Sequence, residues 1–196
     1  MKHDVLLAGV GGQGVLSVAA AIAAGAMKDG LRVKQSEVHG MAQRGGAVQA
    51  HLRLSDREIA SDLIPRGGAE MILGMDPLES LRYISYLHPE GILISASNPF
   101  ANIPDYPPVE ELLAAIRRLP RAILVDASAL AQEAGSARAG NMVLVGAAAA
   151  HLPVRRASLE EAIREMFTAK GDGVVKANLK AFAAGIAAGE AAGGAA

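Results

Sequence analysis

Apolar and polar residues follow two different periods along this chain. Short apolar runs bounded by glycine, proline or aspartate read as buried strands: DVLLA at 4–8, a run within 70–74, GILISA at 91–96 and AILVDA at 122–127;. Stretches whose apolar residues recur every three or four positions read as helices at 15–29, with Gly30 as the stop, at 77–87 and at 109–119;. LRVKQSE at 31–37 adds a strand after the first helix, so the chain opens as strand, glycine turn, helix, strand;. AVQAHLRLS at 47–55 alternates as a strand with one less buried face does, and DREIASDLI at 56–64 is expected to pair with it as a hairpin or to form an edge strand;. About five strands of parallel type with one or two antiparallel additions result.

The rest is helical. NMVLVGAAAAHL at 141–152 is apolar nearly all round, which predicts a helix buried between layers or against a partner;. In SLEEAIREMFTAKG, Ser158 as N-cap and Glu161 three residues on predict a capping box;. A last helix follows from 173, and residues 191–196 are expected to be a disordered Ala/Gly tail;. The fold class predicted is α/β: a single domain over 1–190, a three-layer α/β/α Rossmann-like sandwich with a mostly parallel, mixed sheet and a helical C-terminal region.

Composition narrows the function. With 196 residues and 51% hydrophobic content the chain can bury one sizeable core;. Aromatic residues make up 3% and tryptophan is absent, so there is little surface for stacking bases; 19 Lys plus Arg against 20 Asp plus Glu leave no basic field for nucleic acid;. Cysteine is absent, which removes a thiol nucleophile, a cysteine zinc site and a thiolate-held iron-sulfur cluster from this chain;. The opening MKHDVLLAGVGG lacks a signal peptide's cleavage pattern and no apolar run reaches membrane-spanning length, so a cytoplasmic address is expected;.

Candidate chemistry gathers in two loops. Gly9, Gly11 and Gly14, with Gly12 and Gln13 between them, satisfy G-x-G-x-x-G between a strand and a helix. That context suits a phosphate at a helix N-terminus, and equally a tight structural turn or an interface. Glu37 stands where a nicotinamide enzyme places its ribose-binding acid, but the apolar helix expected next is replaced by HGMAQRGG;. Val15 and Leu16 occupy the positions where a nucleotide-hydrolysing loop needs lysine and a hydroxyl;. No G-x-S-x-G elbow occurs, and His3, His39, His51, His88 and His151 are scattered singly, so no metal site is expected;. Asp76 before Pro77, Asn98 before Pro99, and Asp126 with Ser128 follow strands, where local capping and crevice lining are both open; Asn141 and Asn178, the latter with Lys176, are candidates for bonds across helix interfaces;.

VLLAGVGGQGVL together with SEVHGMAQRGG resembles the gamma-domain family of 2-oxoacid:ferredoxin oxidoreductases, and within it the small (beta) subunits of the indolepyruvate type. ARAGNMVLVGA at 137–147 and VVKANLKAFAAG at 174–185 are similar to later segments of those subunits, so the resemblance covers nearly the whole chain. It implies a heteromeric enzyme that decarboxylates aryl 2-oxoacids to arylacetyl-CoA and reduces ferredoxin, with coenzyme A as cosubstrate. Thiamine diphosphate, Mg and iron-sulfur clusters would sit on a large alpha subunit, this chain would bind no cofactor alone, and a dimer of heterodimers is plausible. In that setting Glu37, His39, Gln43, Arg44, Gly45 and Gly46 are expected to line the subunit interface, to touch coenzyme A or substrate, or to serve local structure only. Arg44 between small neighbours suits bidentate anion contact. Two rival readings stay open: a stand-alone NAD-dependent oxidoreductase, and a non-enzymatic ligand-binding or scaffolding module.

Overall fold

A computed structural model describes residues 1–40, 45–101 and 103–193. Strands β1 (Lys2–Val10), β2 (Arg32–His39), β3 (Ala47–Ser55), β4 (Ala69–Gly74), β5 (Leu87–Ala96) and β6 (Ala122–Val125) form one sheet in the order β2-β3-β1-β4-β5-β6. Helices are α1 (Val15–Lys28), α2 (Pro77–Arg82), α3 (Val109–Arg117), α4 (Ala127–Glu133), α5 (Gly140–Ala148), α6 (Arg156–Thr168) and α7 (Asp172–Gly193). β1, β4, β5 and β6 are parallel neighbours, while β3 runs antiparallel to both β1 and β2. β2 therefore points the same way as β1 but is separated from it by β3, which gives the mixed sheet expected from the sequence.

The side-chain period of two sorts the core into two layers. Val5, Leu7, Met71, Leu73, Ile92 and Ile94 face a large cluster completed by α1, α5, α6 and α7. Leu6, Ile72 and Leu93 face a smaller cluster that includes Ile116 of α3. Helices on both faces produce the three-layer sandwich.

The apolar helix of the sequence is internal. α5 meets α7 backbone to backbone: a Cβ at Gly146 would lie 2.1 Å from the Phe182 carbonyl oxygen, one at Gly185 2.0 Å from that of Val143, and one at Gly189 2.7 Å from that of Ala147. The small residues of both helices permit this approach. α7 continues to Gly193, past the boundary at which the sequence placed its tail; residues 194–196 lie outside the described residues.

Three expectations are corrected. Residues 56–64 are neither a hairpin arm nor an edge strand, because β3 side chains take up their backbone groups. Arg53 Nη1 donates to the carbonyls of Ser61 (2.9 Å) and Leu63 (3.0 Å), and His51 Nδ1 accepts the Ile64 N–H (3.0 Å). The helix expected over 77–87 ends at Arg82, and β5 starts at Leu87, where Tyr83 and Tyr86 pack on the smaller cluster and a 3-10 turn intervenes. The capping box at Ser158 does not form, because α6 begins at Arg156. Its cap comes from the end of α1: Asp29 accepts the Arg155 N–H (2.6 Å), Arg155 Nε (2.7 Å) and the Ser158 hydroxyl, and Glu161 instead pairs with Lys28 (3.2 Å). At the end of α1, Gly30 adopts φ 77° and the Leu31 N–H reaches back to the Ala26 carbonyl, the left-handed stop predicted for it;.

Two outcomes follow from this packing. Gly185→Ala is expected to cost about 3 kcal/mol by overpacking against α5, whereas Gly173→Ala, with nothing near its added methyl, is expected to be neutral or mildly stabilising; urea unfolding of both variants checks the contrast;. Burial lowers the His51 pKa below its ordinary 6.5, and its acceptor role toward Ile64 requires the neutral ring. A depressed histidine means the unfolded chain binds the proton more readily, so stability should fall as pH drops below about 6.5. His51→Gln should flatten that part of a Tm-against-pH curve.

Candidate functional site

The carboxyl ends of β1, β4, β5 and β6 face one side, and there the chain leaves in opposite directions after β1 and β4. Crevices of open α/β sheets form at this place. β1 ends in the glycine turn, which Gln13 latches: its Oε1 accepts the Val10 N–H (2.8 Å) and its Nε2 donates to the Met75 carbonyl (3.2 Å), joining the tips of β1 and β4. A second clasp holds the other side, with the Gly11 N–H donating to the Gly46 carbonyl (2.8 Å) and the Gly45 N–H to the Gly11 carbonyl (3.1 Å). Gly12 and Gly14 take φ 102° and 82°, values that only glycine adopts readily;. Gly14 has a second reason to be glycine, since an added Cβ would lie 2.3 Å from Asn141 Nδ2.

Two cavities flank this turn. The first, about 410 Å³, is lined by Gly12, Gln13 and Gly14, by Asn98 to Phe100 after β5, by Ser128 of α4, and by Arg138, Gly140 and Asn141 at the head of α5. The second, about 400 Å³, lies between the start of α1 and the β2–β3 edge, with Val15, Leu16, Ser17, Glu37 and Val48 in its walls. In the first cavity, Asn98 Nδ2 donates to Asp126 Oδ1 (3.0 Å) and Asn98 Oδ1 accepts the Ser128 N–H (3.1 Å), while Asp126 Oδ1 also caps α4 at the Ala129 N–H (2.8 Å). Asn141 Nδ2 approaches the Gly14 carbonyl at 3.4 Å. Val15 and Leu16, whose N–H groups precede the first helical bond, from Ser17 N–H to the Gly14 carbonyl (2.9 Å), belong to the wall of the second cavity;. The first cavity thus brings Asn98, Ser128, Arg138 and Asn141 together with Phe100 around a space suited to an elongated anion;.

The model of the family described as pyruvate ferredoxin/flavodoxin oxidoreductase matches residues 4–188. The chain belongs to that family. It is 39% identical over 194 residues to the indolepyruvate oxidoreductase subunit IorB of Archaeoglobus fulgidus, covering 94% of each chain. Its fold is that of the keto/oxoacid ferredoxin oxidoreductase gamma subunit from Geobacter sulfurreducens, with a TM-score of 0.72, 23% identity, and 96% of this chain and 99% of that one covered. It also superposes on the 2-oxoglutarate:ferredoxin oxidoreductase of Magnetococcus marinus with a TM-score of 0.77 at 23% identity, covering 97% of this chain and 31% of that longer one. That structure holds 2-oxoglutarate, coenzyme A and succinyl-CoA.

Within this family member, the structure sorts the residues singled out by sequence. Gly12, Gln13, Gly14, Asn98 and Asn141 meet in the first cavity. Gly9 is placed for packing, since its added Cβ would lie 2.9 Å from Val15 Cγ2, and Gly11 is committed to the clasp with Gly45 and Gly46. Glu37 lines the second cavity, and His39 is the last residue of β2, paired with Val48. Met41, Gln43 and Arg44 lie outside the described residues. Asp76 and Asp126 are helix caps, and Asn178 turns back to the Val174 carbonyl of its own helix (2.8 Å), away from the site. Phe100 and Arg138 were not anticipated. Arg138 lay in the ARAGNMVLVGA segment, but no periodicity marks a lone surface arginine as convergent with a turn more than a hundred residues away.

The Gln13 latch is testable. Gln13→Ala strips a partner from the Val10 N–H and the Met75 carbonyl, and is expected to cost about 1–3 kcal/mol in urea unfolding while leaving the helical circular dichroism unchanged;.

Proposed function

We propose that the chain is the small subunit of a heteromeric oxidoreductase that converts aryl 2-oxoacids to arylacetyl-CoA with loss of carbon dioxide, and passes the electrons to ferredoxin. The observation that carries this reading is the content of the first cavity: it offers groups that bind an anion and none that performs the reaction. Asn98, Ser128, Arg138 and Asn141 can donate to phosphate or amide groups, but no activated nucleophile and no acid and base pair stands among them;. The chain has no cysteine for an iron-sulfur cluster, and among the described residues no three His, Asp or Glu side chains converge as metal ligands. These donors do not fit iron-sulfur clusters or a magnesium-bound thiamine diphosphate, so the reading assigns those groups to a large partner subunit. Similarity to IorB along nearly the full length supports the aryl 2-oxoacid class.

In this reading the first cavity holds the phosphate-bearing part of coenzyme A. Arg138 faces the negative charge; Asn98 and Ser128, mutually bonded, present a fixed polar wall;. The clasp of Gly11 with Gly45 and Gly46 joins the glycine turn to the connection between β2 and β3, which this reading assigns to the border with the partner. The small subunit thus contributes binding and orientation, while bond-making occurs on the partner's cofactor.

Co-expression with the large subunit should yield a complex whose ferredoxin reduction requires both an aryl pyruvate and coenzyme A, with the isolated chain inactive. Arg138→Ala should raise the KM for coenzyme A about tenfold or more with kcat nearly unchanged, as loss of one charge-assisted bond in binding does. An assembled complex without coenzyme-dependent electron transfer, or hydride transfer to NAD by the isolated chain, would overturn the reading.

A further inference from the structure

The segment joining β5 to α3, residues 97–108, supplies one wall of the first cavity through Asn98, Pro99 and Phe100. Its described residues form no helix or strand, and Phe100 and Ile103 are 45% and 40% exposed, so burial of those two side chains does not hold its tip in place. Asp76, fully buried at the end of β4, does. Its Oδ1 accepts the Glu79 N–H (3.0 Å) and caps α2. Its Oδ2 accepts both the Phe100 N–H (2.7 Å) and the Tyr106 hydroxyl (2.8 Å), two donors at either end of the segment's tip. Its carbonyl accepts the Ser80 hydroxyl (2.7 Å), which is also bonded to Ser95 of β5 (2.8 Å), so the anchor itself is tied to two strands.

A helix cap needs one acceptor oxygen, and asparagine, serine or threonine supplies it as well as aspartate does. Capping therefore leaves the second oxygen unexplained. Two donors on one carboxylate oxygen make strong, charge-assisted bonds in a site shielded from water. Burial, and then the bond to Asp76, hold the Tyr106 phenol well above its usual range, so it remains a donor across physiological pH.

We propose that Asp76 is a positioning residue of the crevice: its second oxygen cinches the strap at Phe100 and Tyr106, and so fixes the Phe100 end of the wall against which the ligand binds, while Asp126 and Ser128 hold the Asn98 end. The proposal rests on the reading of the first cavity as the coenzyme site. Phe100 is the contact that the cinch places. Its backbone is locked to Asp76 while its ring stays accessible at the cavity edge, as a flat platform for a planar ligand group requires;.

Asp76→Asn separates the two roles. The amide oxygen can still cap α2, but its nitrogen opposes the Phe100 N–H, donor against donor, whereas the Tyr106 hydroxyl can turn and accept. Tyr106→Phe leaves carboxylate and cap intact and releases only the far end, so it gives a second variant should the first fold poorly. In the assembled complex, amide hydrogen exchange over 99–106 should quicken at least tenfold in Asp76→Asn and less in Tyr106→Phe, while the amides of Glu79 and Ser80 keep their protection. The KM for coenzyme A should rise about tenfold, with kcat and the KM for the aryl 2-oxoacid near wild type. Unchanged exchange in the strap, or equal loss of protection in strap and α2, would overturn the proposal. So would a loosened strap with an unmoved coenzyme KM when Arg138→Ala moves it. If Arg138→Ala leaves that KM unmoved as well, the coenzyme reading of the cavity fails, and the positioning role falls with it.

Discussion

The antiparallel register of β1 against β3 sets everything at the glycine-bearing end of the molecule. One buried ion pair specifies it: Asp4, fully buried, receives Arg53 Nε (2.9 Å) and Nη2 (3.0 Å) from the residue directly opposite in the ladder, and Lys2 Nζ at 2.8 Å. Such a pair contributes little net stability, because desolvating the charges offsets their attraction. It discriminates strongly between registers, since a slip by one residue would leave a carboxylate buried without its partner. With Asp4 opposite Arg53, Val10 falls opposite Ala47, and the next residues beyond the ladder are Gly11 and Gly46, which bond to each other. The glycine turn and the Gly45–Gly46 lead into β3 are therefore joined by an interaction at the far end of the same two strands.

That arrangement shows what the sequence disclosed and what it concealed. Local pattern carried the strands at 4–8, 70–74, 91–96 and 122–127, the first helix with its glycine stop, and the mixed α/β class, because each depends on a run of neighbouring residues. The residues that decide the rest act across the chain. Asp29 caps a helix that begins at Arg156, so SLEE looked like a capping box although its hydroxyl was already engaged elsewhere. DREIASDLI reads as a strand until Arg53 and His51 are seen to take its carbonyls and its N–H. Within the site the same division holds. Glycines at fixed spacing were visible, whereas Arg138 and Phe100 converge on them only through the packing of α5 and the strap.

Abundant alanine and glycine near the C-terminus were compatible with either an exposed contact surface or a tight interior. The α5–α7 contact decides for the interior in that pair: carbonyl oxygens occupy the places where side chains of Gly146, Gly185 and Gly189 would start. Close helix packing behind the sheet also fixes the head of α5, and with it Asn141 beside Gly14. A composition that looks featureless thus has a positional consequence at the crevice, since any bulk that pushed α5 outward would withdraw Asn141 and Arg138 together.

The same geometry distinguishes this glycine pattern from a dinucleotide fingerprint of equal spacing. In that motif the second strand lies beside the first, and its terminal acid reaches the ribose while free N–H groups of the turn meet the diphosphate. Here β3 intervenes, so Glu37 stands one strand further out, a displacement of about 4.8 Å, and faces the second cavity instead of the first;. The turn's own N–H groups at Gly11 and Gln13 are spent on Gly46 and Val10. What remains for a ligand in the first cavity is the set of side chains of Asn98, Ser128, Arg138 and Asn141. On the proposed reading, recognition there is distributed over the turn after β1, the strap after β5, α4 and the head of α5, so it depends on how those parts are held; the Gln13 latch ties the first of them to the tip of β4, and Asp76 ties the second to the same place.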